Sequence, residues 1–120
     1  MLAGMARVLV VDDDPSVAMM LAEVVQFFGH ESIVETDSLR AAQLVHSGWD
    51  ALLSDYLMPG LSGVELCRIF REASPATRRV VVTAAPQEPT IRDALHEGIV
   101  QLILSKPTVL ADVKQALMWL

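Results

Sequence analysis

Polar residues of the types that handle phosphate and divalent cations close the apolar runs of this chain. Asp12, Asp13 and Asp14 follow VLVV, Asp55 follows ALLS, Thr83 follows VVV, and Lys106 follows LILS. Carboxylates drawn together repel one another and do not all stay ionised without a cation. Hard oxygen ligands, few in number, suit Mg²⁺, which keeps several waters and leaves positions for phosphate oxygens. Lys106 adds a point positive charge and Thr83 a hydroxyl donor. Together these are the parts by which an aspartate attacks a phosphoryl group and then holds the product. Asp55 lies centrally among them and is the expected nucleophile.

Such chemistry requires the apolar segments to end at one place. ARVLVVD (6–12) is a continuous β-branched run, the form of a strand covered on both faces. From Pro15, the apolar residues Val17, Met20, Leu21, Val24, Val25 and Phe28 recur at helical spacing until Gly29, with Asp14 as N-cap and Pro15 as first helical residue. The same alternation repeats. ESIVE (31–35), DALLSD (50–55), RRVVVTA (78–84) and QLILS (101–105) read as strands. Segments 38–48, 62–74, 89–98 and 109–120 read as helices. Strands alternating with helices predict an α/β fold, a doubly wound parallel sheet with right-handed crossovers and helices on both faces. For a (βα)5 chain the flavodoxin-like order 2-1-3-4-5 is the common solution, and its ligand site lies at the carboxyl ends of the strands. Asp12 to Asp14, Asp55, Thr83 and Lys106 therefore converge on one edge.

Composition sets the boundaries. A chain of 120 residues is sized for one domain, so residues 1–120 are expected to form a single unit without a separate output domain. With 52% hydrophobic residues it should be folded, while its apolar runs fall short of the ~20 residues that span a bilayer. MLAGMA lacks the basic start of an export signal, and a lone cysteine, Cys67, fits a reducing compartment, so a cytoplasmic protein is expected. Cys67 lies in the helical pattern VELCRIF and is expected to be a buried small hydrophobe. A net charge of −6 argues against nucleic-acid contact by this segment.

The residues also match a known pattern. VLVVDDDPS at the first strand, LLSDYLMPGLSG around Asp55, VVVTA at the fourth strand and LSKP at the fifth occur in order, and the chain resembles the receiver domain of two-component response regulators over essentially its whole length. The resemblance implies a regulatory phosphoacceptor that catalyses only its own phosphorylation and dephosphorylation. Asp55 would be the phosphoacceptor. Asp13, Asp55 and the backbone carbonyl of Leu57 would ligate Mg²⁺, with Asp12 acting mainly through metal-bound water. Thr83 would bond the phosphoryl oxygen, and Lys106 would pair with Asp55 before phosphorylation and with the phosphoryl group afterwards. A cis bond is implied before Pro107, and Met58, Pro59, Gly60 and Gly63 would frame the site. The implied donor is a sensor histidine kinase or phosphotransfer protein docking on the first helix. The fourth helix, fifth strand and fifth helix would address an output domain, a downstream protein or a second copy. Ile103 stands where members usually carry Tyr or Phe, so the usual aromatic readout is missing. Leu57 and Ala85 stand where polar side chains in other members orient an attacking water.

Other readings explain less. DDDPS as an acidic helix cap suits Asp14, but leaves Asp55 and Lys106 without a role. An EF-hand drawn from Asp12, Asp14, Ser16 and Glu23 fails because Val17 stands at the required glycine. A haloacid-dehalogenase-type phosphatase would make Asp12 the nucleophile with Asp14 beside it, yet Pro15 starts a helix that carries Asp14 away. A flavin- or nucleotide-binding module would want a Gly-rich phosphate loop that is not present. His30, His46 and His96 lie near helix ends and are expected at the surface, without metal spacing. Met19, Met20, Trp49 and Trp119 are expected to be packing residues.

Overall fold

Strands and helices alternate through residues 5–118, the part of the chain that the computed structural model describes. In chain order they are β1 (Arg7–Val11), α1 (Pro15–Phe27), β2 (Glu31–Glu35), α2 (Ser38–Gln43), β3 (Ala51–Asp55), α3 (Gly63–Ala73), β4 (Arg78–Thr83), α4 (Pro89–His96), β5 (Leu102–Ser105) and α5 (Leu110–Met118). The strands form one sheet of order β2-β1-β3-β4-β5, with every pair parallel. This is the flavodoxin-like (βα)5 arrangement.

Two apolar layers explain the continuous hydrophobic runs. Alternate residues of a strand face opposite sides. Val8, Val10, Leu53, Val80, Val82 and Leu104 pack with Ala18, Leu21 and Val25 of α1 and Val113 and Leu117 of α5. Leu9, Val11, Leu52 and Val81 pack on the other side with Ala41 of α2, Val64, Leu66, Cys67 and Phe70 of α3, and Ile91 and Ala94 of α4. Each central strand is thus covered on both faces. No helix among the described residues is long and apolar enough to cross a membrane.

The helix starts follow their caps. The Asp14 carboxylate accepts from the Ser16 N–H at 2.9 Å, with Pro15 in the first turn of α1. Ser62 and Glu65 form a reciprocal capping box at α3, which satisfies two otherwise unpaired N–H groups. α2 is shorter than the spacing predicts and ends at Gln43. There the backbone bonds tighten to the i−3 pattern, from the Val45 N–H to the Ala42 carbonyl at 3.3 Å and from the Ser47 N–H to the Leu44 carbonyl at 2.9 Å, so 44–47 close as tight turns, and the Trp49 indole N–H also donates to the Leu44 carbonyl at 2.8 Å.

Some side chains lie elsewhere than the pattern predicts. Met19 and Met20 are exposed, at 57% and 46%, and are not packing residues: the buried stripe of α1 is Ala18, Leu21, Ala22 and Val25, which turns the methionines outward. Trp49 is buried under the Arg7 guanidinium, 4.2 Å from its ring centroid. Trp119 lies outside the described residues. His46 and His96 are exposed, but His30 is half-buried because its Nδ1 accepts from the Ala6 N–H at 2.9 Å.

At the amino edge of the sheet Arg79 is buried, with no carboxylate partner among the described residues. Its guanidinium donates to the carbonyls of Ile99 (2.9 Å), Thr77 (3.0 Å), Pro75 (3.2 Å) and Gly98 (3.2 Å), tying the α3–β4 and α4–β5 connections to β4. A planar fork of donors suits such a set of carbonyls.

Candidate functional site

Strand register brings the carboxylates together. β1 pairs with β3 so that Val11 lies beside Ser54, which sets Asp12 next to Asp55 at the carboxyl edge. β4 pairs with β5 so that Thr83 lies beside Ser105, which sets Lys106 next to Thr83. Asp12, Asp13 and Asp55 each offer a carboxylate oxygen, and these oxygens all lie within 4.8 Å of one another. Asp12 is buried, Asp55 half-buried and Asp13 exposed.

The Lys106 ammonium bridges two of the three. Its Nζ donates to Asp12 Oδ2 at 3.0 Å and to Asp55 Oδ1 at 3.1 Å. Asp12 Oδ1 accepts from the Asp14 N–H, and Asp55 Oδ1 accepts from the Tyr56 N–H, each at 2.9 Å. Asp55 Oδ2 is left free of hydrogen bonds from the described residues. The sequence reading pairs Lys106 with Asp55 alone, and the bond to Asp12 is new. Only the successive registers of β1 with β3, β3 with β4 and β4 with β5 reveal it.

Burial raises the Asp55 carboxyl above its ordinary value and the Asp12 charge adds to this, while hydrogen bonds from Lys106 and Tyr56 oppose it without cancelling it. Burial pulls Lys106 down, but its hydrogen bonds to Asp12 and Asp55 outweigh that, and its pKa is raised. The two directions have separate causes: Lys106 faces two carboxylates, whereas Asp55 is buried beside a second carboxylate and shares its one ammonium with it. Three carboxylates against one lysine leave an excess of negative charge, which a hard divalent cation offsets.

Around this edge, Thr83 is buried, and its Oγ1 accepts from the Ala85 N–H at 3.0 Å. Asp55, Tyr56, Leu57, Thr83, Ala84, Ala85, Glu88 and Lys106 line one hollow, with the Leu57 side chain 74% exposed at its mouth. Glu88 was not foreseen there. Its carboxylate caps α4 by accepting from the Ile91 N–H, which a Glu-Pro pair before a helix could have signalled. The β3–α3 connection is held tightly: the Gly63 N–H donates to the Tyr56 carbonyl at 2.7 Å, and a Cβ on Gly63 would lie 2.2 Å from the Asp55 carbonyl oxygen. Pro107 follows a cis bond to Lys106. Ile103 packs half-buried among the residues under α3 and α4.

The response regulator receiver domain family matches this chain over residues 8–118. A response regulator receiver protein of Anaeromyxobacter sp. (strain Fw109-5) is 32% identical over 110 residues, which cover 91% of this chain and 46% of that protein. The DNA-binding response regulator MtrA of Mycolicibacterium smegmatis is 41% identical over 93 residues, 77% of this chain and 40% of MtrA. The chain thus spans less than half the length of these curated relatives. Among solved structures, the response regulator protein TrrA of Thermotoga maritima, crystallised in complex with Mg²⁺ and BeF, superposes with a TM-score of 0.83 at 27% identity, over 96% of this chain and 98% of that one. The match of nearly the whole sequence agrees with the strand order and with the carboxylate–lysine edge that the order creates, and the chain belongs to the response regulator receiver domain family.

Proposed function

We propose that residues 1–120 form a single receiver unit in which Asp55 accepts a phosphoryl group from the phosphohistidine of a sensor histidine kinase or phosphotransfer protein. The observation that carries this reading is the Lys106 ammonium shared between Asp12 and Asp55, with Asp13 beside them. The donor set fits Mg²⁺: hard carboxylate oxygens from Asp12, Asp13 and Asp55, to which the Leu57 backbone carbonyl would be added. When bound, Mg²⁺ supplies positive charge against the anionic phosphoryl oxygens.

The protein's own groups divide the remaining work. Asp55 Oδ1 is held by Lys106 and the Tyr56 N–H, which orients the free Oδ2 towards the donor. Oδ2 forms the bond to phosphorus as the bond from phosphorus to the histidine nitrogen breaks; with a proton already on the ring's other nitrogen, the histidine leaves as neutral imidazole and Asp55 becomes an acyl phosphate. Lys106 then transfers its hydrogen bond from the carboxylate to a phosphoryl oxygen, and the Thr83 hydroxyl donates to another. Movement of Thr83 shifts the population of conformations of the loop before α4.

α1 is the docking surface for the donor, with Met19, Met20 and Phe27 exposed along it. The α4–β5–α5 face addresses an output domain, a downstream protein or a second copy. DNA contact, as in the name of MtrA, would come from a part of the protein outside this acidic domain. The test is incubation with acetyl phosphate or beryllofluoride and Mg²⁺, comparing wild type with Asp55→Asn by intact mass and amide NMR. Modification of wild type and none of the variant is expected. Modification that survives the substitution overturns the assignment.

A further inference from the structure

The β2–α2 connection carries no group assigned so far, yet it touches both halves of the acidic edge. On one side the Asp12 N–H donates to the Glu35 carbonyl at 3.3 Å. The Glu35 carboxylate in turn accepts from the Asp37 N–H at 3.0 Å. On the other side Ser38, 1% exposed, inserts its hydroxyl into the β3–α3 connection. Ser38 Oγ donates to the Pro59 carbonyl and accepts from the Leu61 N–H, both at 2.8 Å. Gly60 lies between those two residues with φ +87, where a Cβ would meet Ser38 Oγ at 2.9 Å and Leu39 Cγ at 3.2 Å. The loop is therefore seated against the start of α2 by two hydrogen bonds and a close approach that requires glycine.

A helix-capping role does not account for this hydroxyl. Asp37 is the N-cap of α2 and accepts from the Leu39 N–H at 2.9 Å. Both bonds of Ser38 leave its own helix and close on residues 59 and 61, a segment that begins two residues beyond Leu57. A short loop with a metal-ligating carbonyl serves best when its conformation exists before the ion arrives, because ordering it on binding costs conformational entropy.

We propose that Ser38 is a positioning residue for the Mg²⁺ site: its hydroxyl fixes the 59–61 loop and so presents the Leu57 carbonyl together with Asp55. The proposal rests on the Mg²⁺ and phosphoacceptor reading given above. Partners that hold metal ligands in place commonly contribute tenfold or more to affinity.

The experiment titrates Mg²⁺ alone into wild type and Ser38→Ala, by calorimetry and amide NMR, with thermal unfolding of each to normalise for stability. A folded Ser38→Ala protein whose Mg²⁺ Kd is raised about tenfold is expected. Its acetyl-phosphate labelling should need more Mg²⁺ for half-maximal rate and reach a similar maximum at saturation. Hydrogen exchange of the Leu61 amide gives a second measurement that needs no variant: linkage requires Mg²⁺ to slow that exchange in wild type more than it slows exchange globally. Unchanged Mg²⁺ affinity in folded Ser38→Ala, or a Leu61 amide indifferent to Mg²⁺, overturns the role of Ser38 and leaves the phosphoacceptor reading intact. A wild type that binds no Mg²⁺ overturns both.

Discussion

The Lys106 ammonium lies 3.0 Å from the Asp12 carboxylate, across 94 residues of sequence, and is nearly as close to Asp55. Lys106→Ala would leave two carboxylates facing one another in a partly dry edge. Loss of about 2 kcal/mol of stability is expected without Mg²⁺, below the cost at a fully buried pair because Lys106 is itself 24% exposed. Mg²⁺ should recover part of this, and its affinity should rise because a competing cation has gone. Urea unfolding of wild type and variant, with Mg²⁺ or with EDTA, measures both effects.

The raised Asp55 carboxyl has its own consequence for stability. The folded state holds that proton more tightly than the unfolded chain, whose reference value is 3.8, so Asp55 lowers stability as pH rises through its folded value. Asp55→Asn in EDTA should therefore be more stable than wild type at pH 7, with a higher midpoint of thermal unfolding. The advantage should shrink as pH falls towards the unfolded value. Thermal unfolding between pH 3 and 7 would show this fading, and an advantage that grows with acidity would contradict the raised carboxyl.

Gly63 faces backbone it cannot displace. Gly63→Ala puts a methyl group 2.2 Å from the Asp55 carbonyl oxygen, so α3 or the end of β3 must shift. A cost of about 3 kcal/mol and loss of beryllofluoride binding are expected. Gly48 offers the contrast: its φ is +80, but a Cβ there meets nothing within 4 Å. Gly48→Ala should cost about 1 kcal/mol and leave the site intact.

Cys67 reports on the opposite region of the core. Burial pushes its thiol up to about 12, with Arg79 pulling weakly the other way. The native protein should resist alkylation at pH 8, with labelling that follows unfolding. Arg79→Met strands the carbonyls of Pro75, Thr77, Gly98 and Ile99, with an expected cost of roughly 2–4 kcal/mol. That loss should accelerate Cys67 labelling in proportion, while Asp55 can still be modified.

Leu57 and Ala85 place apolar groups beside the hollow that holds Asp55. No side chain at either position can orient an attacking water, so the acyl phosphate should outlast a half-life of seconds. Leu57→Asn should hasten its loss several-fold without impairing Mg²⁺ binding. Decay of the labelled protein followed by intact mass distinguishes the outcomes.

The sheet order was legible because VLVV, ALL and VVV are continuous apolar runs that alternate with helical spacing, as strands covered on both faces are. The acidic edge followed from that order, since residues after parallel strands share one end. Side-chain partnerships were harder to read. Lys106 to Asp12 depends on three strand registers at once, and Ser38 to the 59–61 loop depends on how closely Gly60 lets α2 approach. Met19 and Met20 misled because helical spacing allows more than one apolar stripe, and the small Ala18 and Ala22 were what let α1 approach the sheet. α2 ended early as its backbone bonds tightened into turns over 44–47, beside an indole hydrogen bond to Leu44, and propensity encodes neither.

The arginine fork of β4 gives the molecule two mechanically unlike ends. Beneath the sheet, one guanidinium staples two connections to the amino edge, so that edge has little compliance. Above it, the β3–α3 connection is held as firmly, whereas the loop before α4 begins on a bond from the Ala85 N–H to Thr83 Oγ1, the hydroxyl that would turn to the phosphoryl group. A force applied at Asp55 meets a clamp below and a hinge above, so displacement should travel sideways, through the loop before α4, in preference to loosening the sheet.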